Sequence, residues 1–349
     1  MPEKVTIADV ARRASVSRQT VSNVLNSPDL VREETRERVR QAVKELGYRV
    51  NQAARRMRTG RSRLLAVRIE QTQDGMNVFD RFLHGLTESA AQAGYRVILY
   101  TADDDRSEIA TFDDLLGAYE PDAFVLTSTH HGDVRTSWLA ERELAFVTFG
   151  RPWGMPEGGA HPWVDVDGAA GTAAATRHLL GAGHRRIGFI GWPEGSGVGD
   201  DRRSGWARAL EDAGLSPRTS STKDTKDAKD AKDAKDAKDG EAGALERRTD
   251  GSAAEGEAAA RELIAAGATA LVCVSDSVAL GALQAGPVPV TGFDDTPVAA
   301  AIGLTSLSQP LSDAAARCVR VLTRLLEDDS PDKPDHVLLE PSLVIRRTA

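Results

Sequence analysis

The chain has few cysteines, no long apolar run and no complete catalytic signature. Cys273 and Cys318 are its only cysteines, which excludes a disulfide-built scaffold and a multi-cysteine zinc site. No apolar stretch approaches a membrane span, and Met1-Pro2-Glu3-Lys4-Val5 lacks the apolar run of a secretory signal. The expectation is a soluble, cytoplasmic protein without a membrane partner. Gly195-Ser-Gly-Val-Gly199 is glycine-rich but lacks the Lys-Ser/Thr of a phosphate-binding loop, and there is no Gly-x-Ser-x-Gly elbow. His130 and His131 are adjacent, so on a strand they face opposite sides, a poor arrangement for a metal. His184 precedes two arginines at a strand entrance, where a structural role is expected. Cys273 sits in an apolar run as an inert buried thiol. Neither an enzyme, a cofactor nor a metal site is expected.

Charge is present but unevenly placed. Of 349 residues, the first 62 hold 14 Lys and Arg against 7 Asp and Glu, a net of +7, while the whole chain carries −8. The remainder is therefore at −15. A small basic head on an acidic body points to one module drawn to a polyanion and another that is not.

The head reads as three short helices. Thr6-Ile7-Ala8-Asp9 forms a capping box that opens a helix with Ile7, Val10 and Ala11 on one side. After a turn at Ala14-Ser15-Val16, Ser17 caps a second helix with Val21, Val24 and Leu25 inward. A longer amphipathic helix runs from about Glu33 to Leu46 and stops at Gly47. So small a unit is viable when a tight turn packs two helices together, as in helix-turn-helix modules. Residues 51–62 form a basic, Gly-punctuated connector.

Beyond it, strand-like runs alternate with helices. The runs are Leu64–Ile69, Arg96–Tyr100, Ala123–Thr127, Ala145–Phe149, Arg186–Gly191, Ala270–Val274 and Val288–Gly292. Helical stretches include Phe79–Ala93, Gly168–Ala182, Arg202–Ala213 and Ala253–Ala266. The pattern predicts an α/β core of two doubly wound parallel-sheet subdomains. Lys223–Asp239 holds six Lys-Asp pairs and no large apolar residue, so roughly 217–251 is expected to be a disordered surface insertion.

The segment from Thr6 to Asn26, with Thr35-Arg36 and Leu46-Gly47-Tyr48, resembles the helix-turn-helix signature of the lactose-repressor (LacI/GalR) family. A helix starting at Ser17 places Arg18, Gln19 and Asn23 outward, where Arg and Gln suit guanine and adenine edges in the major groove. Thr6, Ser17, Thr20 and Ser22 suit phosphates, which fix register without reading sequence. The connector resembles the family's hinge. The resemblance implies that Ala54, Arg55 and Met57 contact DNA, with Met57 as an apolar wedge in the minor groove and Arg55, Arg56, Arg58 and Arg61 supplying charge. One departure stands out: Arg32 occupies the third helix's usual capping serine, and arginine cannot accept the exposed N–H groups.

The body resembles the same family's periplasmic-sugar-binding-protein-like core at Thr148–Pro152, Val164–Gly168, Gly183–Gly191, Arg202–Trp206, Thr291–Asp295 and Leu307–Pro310. The resemblance implies an effector in the cleft between subdomains, at the carboxyl ends of the strands. By that resemblance Arg202, Asp294 and Gln309 match effector-contacting positions, with Ser275 and Asp276 close by, and Phe79, Trp192 or Phe293 is the candidate to cover a sugar's apolar face. Carboxylates and a forked guanidinium suit adjacent sugar hydroxyls. Asp276 either faces the ligand or caps the next helix, and Trp192 either covers the ligand or packs a loop. Gly150 stands where some relatives carry an acidic residue, which leaves the sugar open.

The resulting expectation is a helix-turn-helix DNA-binding domain at 1–50, a hinge at 51–62 and an effector-binding, dimerising core at 63–349. Within the core, one subdomain is expected at 63–163 plus 308–328 and the other at 164–307 plus 329–349. The partners implied are palindromic double-stranded DNA, a sugar-type effector and a second copy of the chain. The implied function is a ligand-regulated repressor of carbohydrate-use genes. The rival reading is a sugar-binding or sugar-modifying protein whose basic head is incidental.

Overall fold

A computed structural model describes residues 5–26, 28–48, 60–69, 79–155, 159–215, 245–327 and 333–349. The chain divides into two compact units, Met1–Ser62 and Arg63–Ala349.

The first unit contains α1 (Ile7–Ala14), α2 (Arg18–Asn26), a 3-10 turn at Pro28–Leu30 and α3 (Glu33–Leu46). The Asp9 carboxylate accepts from the Thr6 N–H at 2.9 Å and from its hydroxyl at 2.6 Å, which secures the first turn. Those bonds hold the Asp9 carboxyl below the usual range. Ser15 ends α1 in the left-handed conformation at φ 56° and redirects the chain into α2. Val10, Ala11, Ala14, Val21, Val24, Val39 and Ala42 make the small core. Arg32 precedes α3 in an extended conformation with no side-chain cap bond, as its chemistry requires.

The second unit holds two six-stranded sheets. The first contains β1 (Leu64–Arg68), β2 (Arg96–Tyr100), β3 (Ala123–Leu126), β4 (Phe146–Phe149), β5 (Trp163–Val166) and β11 (His336–Leu339), in the order β11-β5-β4-β3-β1-β2. The second contains β6 (Ile187–Gly191), β7 (Glu246–Arg248), β8 (Ala270–Cys273), β9 (Val290–Phe293), β10 (Thr305–Ser308) and β12 (Ser342–Val344), in the order β12-β10-β9-β8-β6-β7. All pairings are parallel except β10 with β12. Alternation sets the two faces of the first sheet. Leu65, Val67, Val125 and Val147 join one cluster, and Ala66, Phe124, Leu126 and Phe146 join the other. Helices α4 (Phe79–Gln92) and α12 (Leu311–Glu327) cover the former face, while α5 (Asp105–Ala118) and α6 (Val134–Glu141) cover the latter.

The second sheet is buried around Ile187, Phe189, Leu271, Val272, Val290 and Trp206. Its helices are α7 (Gly168–Gly181), α8 (Gly197–Asp212), α9 (Ala253–Ala265), α10 (Asp276–Ala282) and α11 (Pro297–Ile302). No helix among the described residues is long and apolar enough to cross a membrane.

The subdomain limits differ from the sequence expectation at two crossings. Trp163–Val166 belongs to the first sheet and pairs with both β4 and β11. His336–Leu339 also belongs there, so the last crossing falls between β11 and β12 rather than near residue 329. The His336 ring stacks on Trp163 at 4.9 Å, a cross-strand pair that local sequence does not reveal. The expected insertion is also shorter at its end: Glu246–Arg248 forms β7, held to β6 by backbone pairing and to α8 by a forked contact from Arg203 Nε to both Glu246 oxygens at 2.7 and 2.8 Å. Residues 216–244 lie outside the described residues.

Candidate functional site

In the head, the Ser17 hydroxyl accepts the Thr20 N–H at 3.0 Å and lies 2.8 Å from the Thr20 hydroxyl, so Ser17 is the N-cap of α2. Val21 and Val24 face the core, leaving Arg18 and Gln19 exposed and Ser22 and Asn23 half-buried. Gln19 Nε2 donates to Asn23 Oδ1 at 2.9 Å, one helical turn apart. These two amides are thus mutually oriented on the outer face, a pairing that sequence reasoning did not anticipate although the i, i+4 spacing is its signal. Thr6 is exposed at the start of α1. Ala54, Arg55 and Met57 lie outside the described residues.

In the second unit, Arg202 is brought beside Asp294 and Gln309. Gly168 makes room for it: a Cβ at that position would lie 2.9 Å from both the Arg202 Cγ and an Asp201 oxygen. Arg202 is 5% exposed and its guanidinium carbon lies 3.6 Å from the Phe293 ring centroid and 5.2 Å from that of Trp192. Its Nη1 donates to the Val274 carbonyl at 2.7 Å, its Nη2 is 3.8 Å from Asp294 Oδ1, and its buried Nε has no partner. Burial lowers its affinity for a proton. Asp294 accepts from Gln309 Nε2 at 2.7 Å, and burial pushes its carboxyl up to about 7 against the pull of Arg202. Arg81, on α4, donates to the Asp294 carbonyl at 2.7 Å and so ties the first subdomain to this site.

Ser275 and Asp276 stand behind that cluster. Ser275, rather than Asp276, is the N-cap of α10. Asp276 is 0% exposed, and its two oxygens accept from Ser306 Oγ at 2.6 Å and the Thr296 N–H at 2.7 Å. It ties the segments after β8 and β9 to strand β10, and burial raises its pKa. Phe79 lies in the first subdomain, where it stacks on Phe82 at 5.3 Å, which stacks on Phe149 at 4.3 Å.

Three further groups complete the wall. Arg151 Nε donates to Asp165 Oδ2 at 2.7 Å, and its Nη2 forms an ion pair with Asp201 at 2.8 Å. Burial opposes the charge on Arg151, but the two carboxylates outweigh it and raise its pKa. Asp165 and Asp201 are themselves raised by burial. Sequence reasoning gave these residues no role because the pairs are 14 and 50 positions apart. Each charge of this wall meets an opposite one, an arrangement that suits a ligand rich in hydroxyls.

Asp105, His130 and Asp133 bring ligand-type atoms within 4.8 Å of one another. Both Asp133 oxygens, however, accept from Arg135, at 2.8 and 2.7 Å, so a guanidinium already fills that corner.

The chain matches three family models: "Bacterial regulatory proteins, lacI family" over residues 6–51, "Periplasmic binding proteins and sugar binding domain of LacI family" over 66–238, and "Periplasmic binding protein-like domain" over 176–349. It is 30% identical to the HTH-type transcriptional regulator CelR of Thermobifida fusca, over 98% of each chain. It is 36% identical to the HTH-type transcriptional regulator AglR of Rhizobium meliloti, over 61% of this chain and 59% of that one. Among solved structures, the CelR–cellobiose complex superposes with a TM-score of 0.68 at 27% identity, covering 99% of this chain and 100% of that one. The lac repressor dimer bound to operator and an anti-inducer gives a TM-score of 0.76 over 99% of each chain, and at 23% identity it speaks for the fold.

Proposed function

The chain belongs to the lacI family of bacterial regulatory proteins and is a DNA-binding transcriptional regulator, and we propose that it acts in the cytoplasm as a homodimeric repressor of carbohydrate-use genes, controlled by a sugar-type effector. The reading assigns residues 1–50 to operator recognition, 51–62 to the hinge and 63–349 to effector binding and dimerisation. Arg18, Gln19 and Asn23 read bases, while Thr6, Ser17, Thr20 and Ser22 hold phosphates. Ala54, Arg55 and Met57 act at the operator centre. Arg202, Asp294 and Gln309 hold the effector's hydroxyls, Phe79 lies on the opposite wall, and Ser275 and Asp276 keep the strand ends in place.

The observation that carries the effector reading is Arg202. A buried guanidinium with an unpartnered Nε, flanked by two aromatic rings and an incompletely paired carboxylate, calls for hydrogen-bonding partners that the chain itself does not supply. The complex of the relative CelR with cellobiose supports a sugar in this role.

Fluorescence anisotropy of the full-length protein on a palindromic duplex and on random DNA, at two salt concentrations, tests the head. A panel of sugars in a thermal-shift assay tests the core. A sugar at 100 times its dissociation constant stabilises the fold by ~2.7 kcal/mol. Equal affinity for both duplexes defeats the operator reading, and an unmoved melting temperature across the panel defeats the effector reading.

A further inference from the structure

Helix α2 carries two carboxamides that the fold joins in the free protein. Gln19 Nε2 donates to Asn23 Oδ1 at 2.9 Å across one helical turn. The backbone beneath them is held in place. Val21 is 0% and Val24 7% exposed in the head's core, and the Ser17 hydroxyl caps the helix by accepting the Thr20 N–H at 3.0 Å. The hydroxyls of Ser17 and Thr20 lie 2.8 Å from each other, so the cap and the amide pair are separate units.

The bond decides what each amide still offers. A carboxamide has one accepting oxygen and two N–H groups. Gln19 has spent one N–H and keeps the other together with its oxygen. An acceptor beside a donor is the complement of adenine, which presents N6–H and N7 in the major groove. Asn23 has turned its oxygen toward Gln19 and keeps both N–H groups. Two donors suit an edge that only accepts, which means guanine at N7 and O6 or thymine at O4. The bond also sets the spacing. Groups 2.9 Å apart come near the rise of about 3.4 Å between stacked base pairs, so the two amides match adjoining pairs. Holding both side chains beforehand reduces the rotamer entropy that they lose on binding.

We propose that Gln19 and Asn23 read DNA as one unit: Gln19, held by Asn23, selects adenine, and Asn23 selects guanine or thymine at the adjoining base pair. The assignment rests on the reading of α2 as the operator-facing helix. Asn23 then has two separable tasks, one performed through its oxygen on Gln19 and one through its N–H groups on a base.

Asn23→Asp separates the two. A carboxylate still accepts from Gln19 Nε2 but has no N–H to donate. Adenine selection should therefore persist, while the neighbouring preference moves to cytosine, whose N4 only donates. Asn23→Ala removes both tasks, and Gln19→Ala removes the adenine reader. The experiment is selection of bound duplexes from a random-sequence library by the full-length protein and by each variant, with sequencing of the bound fraction. Anisotropy titrations on the enriched duplex and its single-base changes then give the preferences. Wild type should favour adenine, with guanine or thymine beside it, by at least about fivefold over other bases, the low end of one bidentate contact. In Asn23→Ala both preferences should weaken. An enriched duplex without that step overturns the paired reading, and so does an adenine preference that survives Gln19→Ala or stays at full strength in Asn23→Ala. An Asn23→Asp protein that still selects guanine or thymine overturns it as well, and if that variant binds no DNA the Asn23→Ala result decides. Each of these outcomes leaves α2 as the operator helix, whereas a wild-type protein that enriches no sequence defeats the operator reading itself. The readout is base preference within each variant, so a general loss of affinity from the added negative charge does not imitate the expected result.

Discussion

Arg202 and Asp294 face each other across 3.8 Å, while the Asp294 carboxylate takes its hydrogen bond from Gln309 at 2.7 Å. The pair is close enough for attraction and too long for a hydrogen bond. Both groups are buried, and both lean toward their neutral forms because burial penalises charge. A ligand hydroxyl placed between them would bond each in its charged form. On the proposed effector reading, incomplete pairing is what leaves this cluster open to a ligand.

The first prediction concerns pH. Asp294 titrates near 7 in the folded chain, against an ordinary value of 3.8. The folded state therefore holds this proton where the unfolded chain has lost it, so stability falls as pH rises from about 4 to about 7 and levels off above. Asp294→Asn should flatten that part of the melting curve against pH and stabilise the protein at pH 8, by at most about 4 kcal/mol. Effector hydroxyls favour the ionised carboxylate, so sugar affinity of the wild type should increase between pH 6 and 8. A slope of affinity against pH that survives in Asp294→Asn would place the titrating group elsewhere.

The second concerns base reading. Gln19 and Asn23 are hydrogen-bonded to each other at 2.9 Å, so neither is an independent reader. Gln19→Ala or Asn23→Ala should each cost roughly 1–3 kcal/mol on the operator and far less on random DNA. The double variant should cost less than the sum of the two, because each single change also releases its partner. Strict additivity in operator titrations would show that the two amides act separately.

The third concerns the head's stability. Arg32 precedes α3 without a cap bond, and Glu33 on the first turn already pairs with Arg36. Arg32→Ser supplies the missing acceptor and should stabilise the head by about 0.5–2 kcal/mol. Calorimetry of the full-length protein reads this as an upward shift of the head's transition. No shift, or a downward one, would mean that the arginine contributes more here than a cap does.

The elements that could be read from sequence share a property: their signals are local. The Thr6–Asp9 box, the Ser17 cap and the apolar runs of β1, β3, β6 and β8 each announce themselves within a few residues. Unread strands have other signatures. Glu246–Arg248 is wholly polar, Thr305–Ser308 has one large apolar residue, and Ser342–Val344 is three residues long. Their identity comes from pairing with strands already in place, which is tertiary information. Helix α8 begins at Gly197 rather than Arg202 because Ser196 accepts the Gly199 N–H at 3.2 Å, a cap hidden inside a glycine-rich run that reads as a loop. The site divides in the same way. Arg202, Asp294 and Gln309 follow strand ends or recognisable motifs, whereas Arg151, Asp165, Asp201 and Arg81 become partners only when distant segments meet.

The last prediction uses one of those distant partners. Asp294 sits at φ 115° and Asp295 at φ 49°, conformations that cost on the order of 1–3 kcal/mol each and persist only where the surroundings enforce them. The enforcing bonds are visible. The Asp294 N–H donates to the Leu307 carbonyl at 2.8 Å, the Asp295 N–H to Ser306 Oγ at 3.0 Å, and Arg81 from the other subdomain to the Asp294 carbonyl at 2.7 Å. On the proposed effector reading, a ligand that bonds the Asp294 carboxylate also bears on a main chain that Arg81 holds, so occupancy of the cleft should be transmitted to α4 in the first subdomain. Coupling between two sites typically amounts to about 1–3 kcal/mol, and removing a link should reduce it without abolishing binding at either end. Arg81→Met keeps the side chain's apolar stem and deletes its hydrogen bonds. Operator affinity without sugar should stay near wild type, sugar affinity should weaken a few-fold, and the ratio of operator affinities with and without saturating sugar should move toward one. Titration of a palindromic duplex in both conditions gives that ratio directly. If it equals the wild-type ratio once the sugar is saturating, the bond from Arg81 to Asp294 supports the fold and carries no signal.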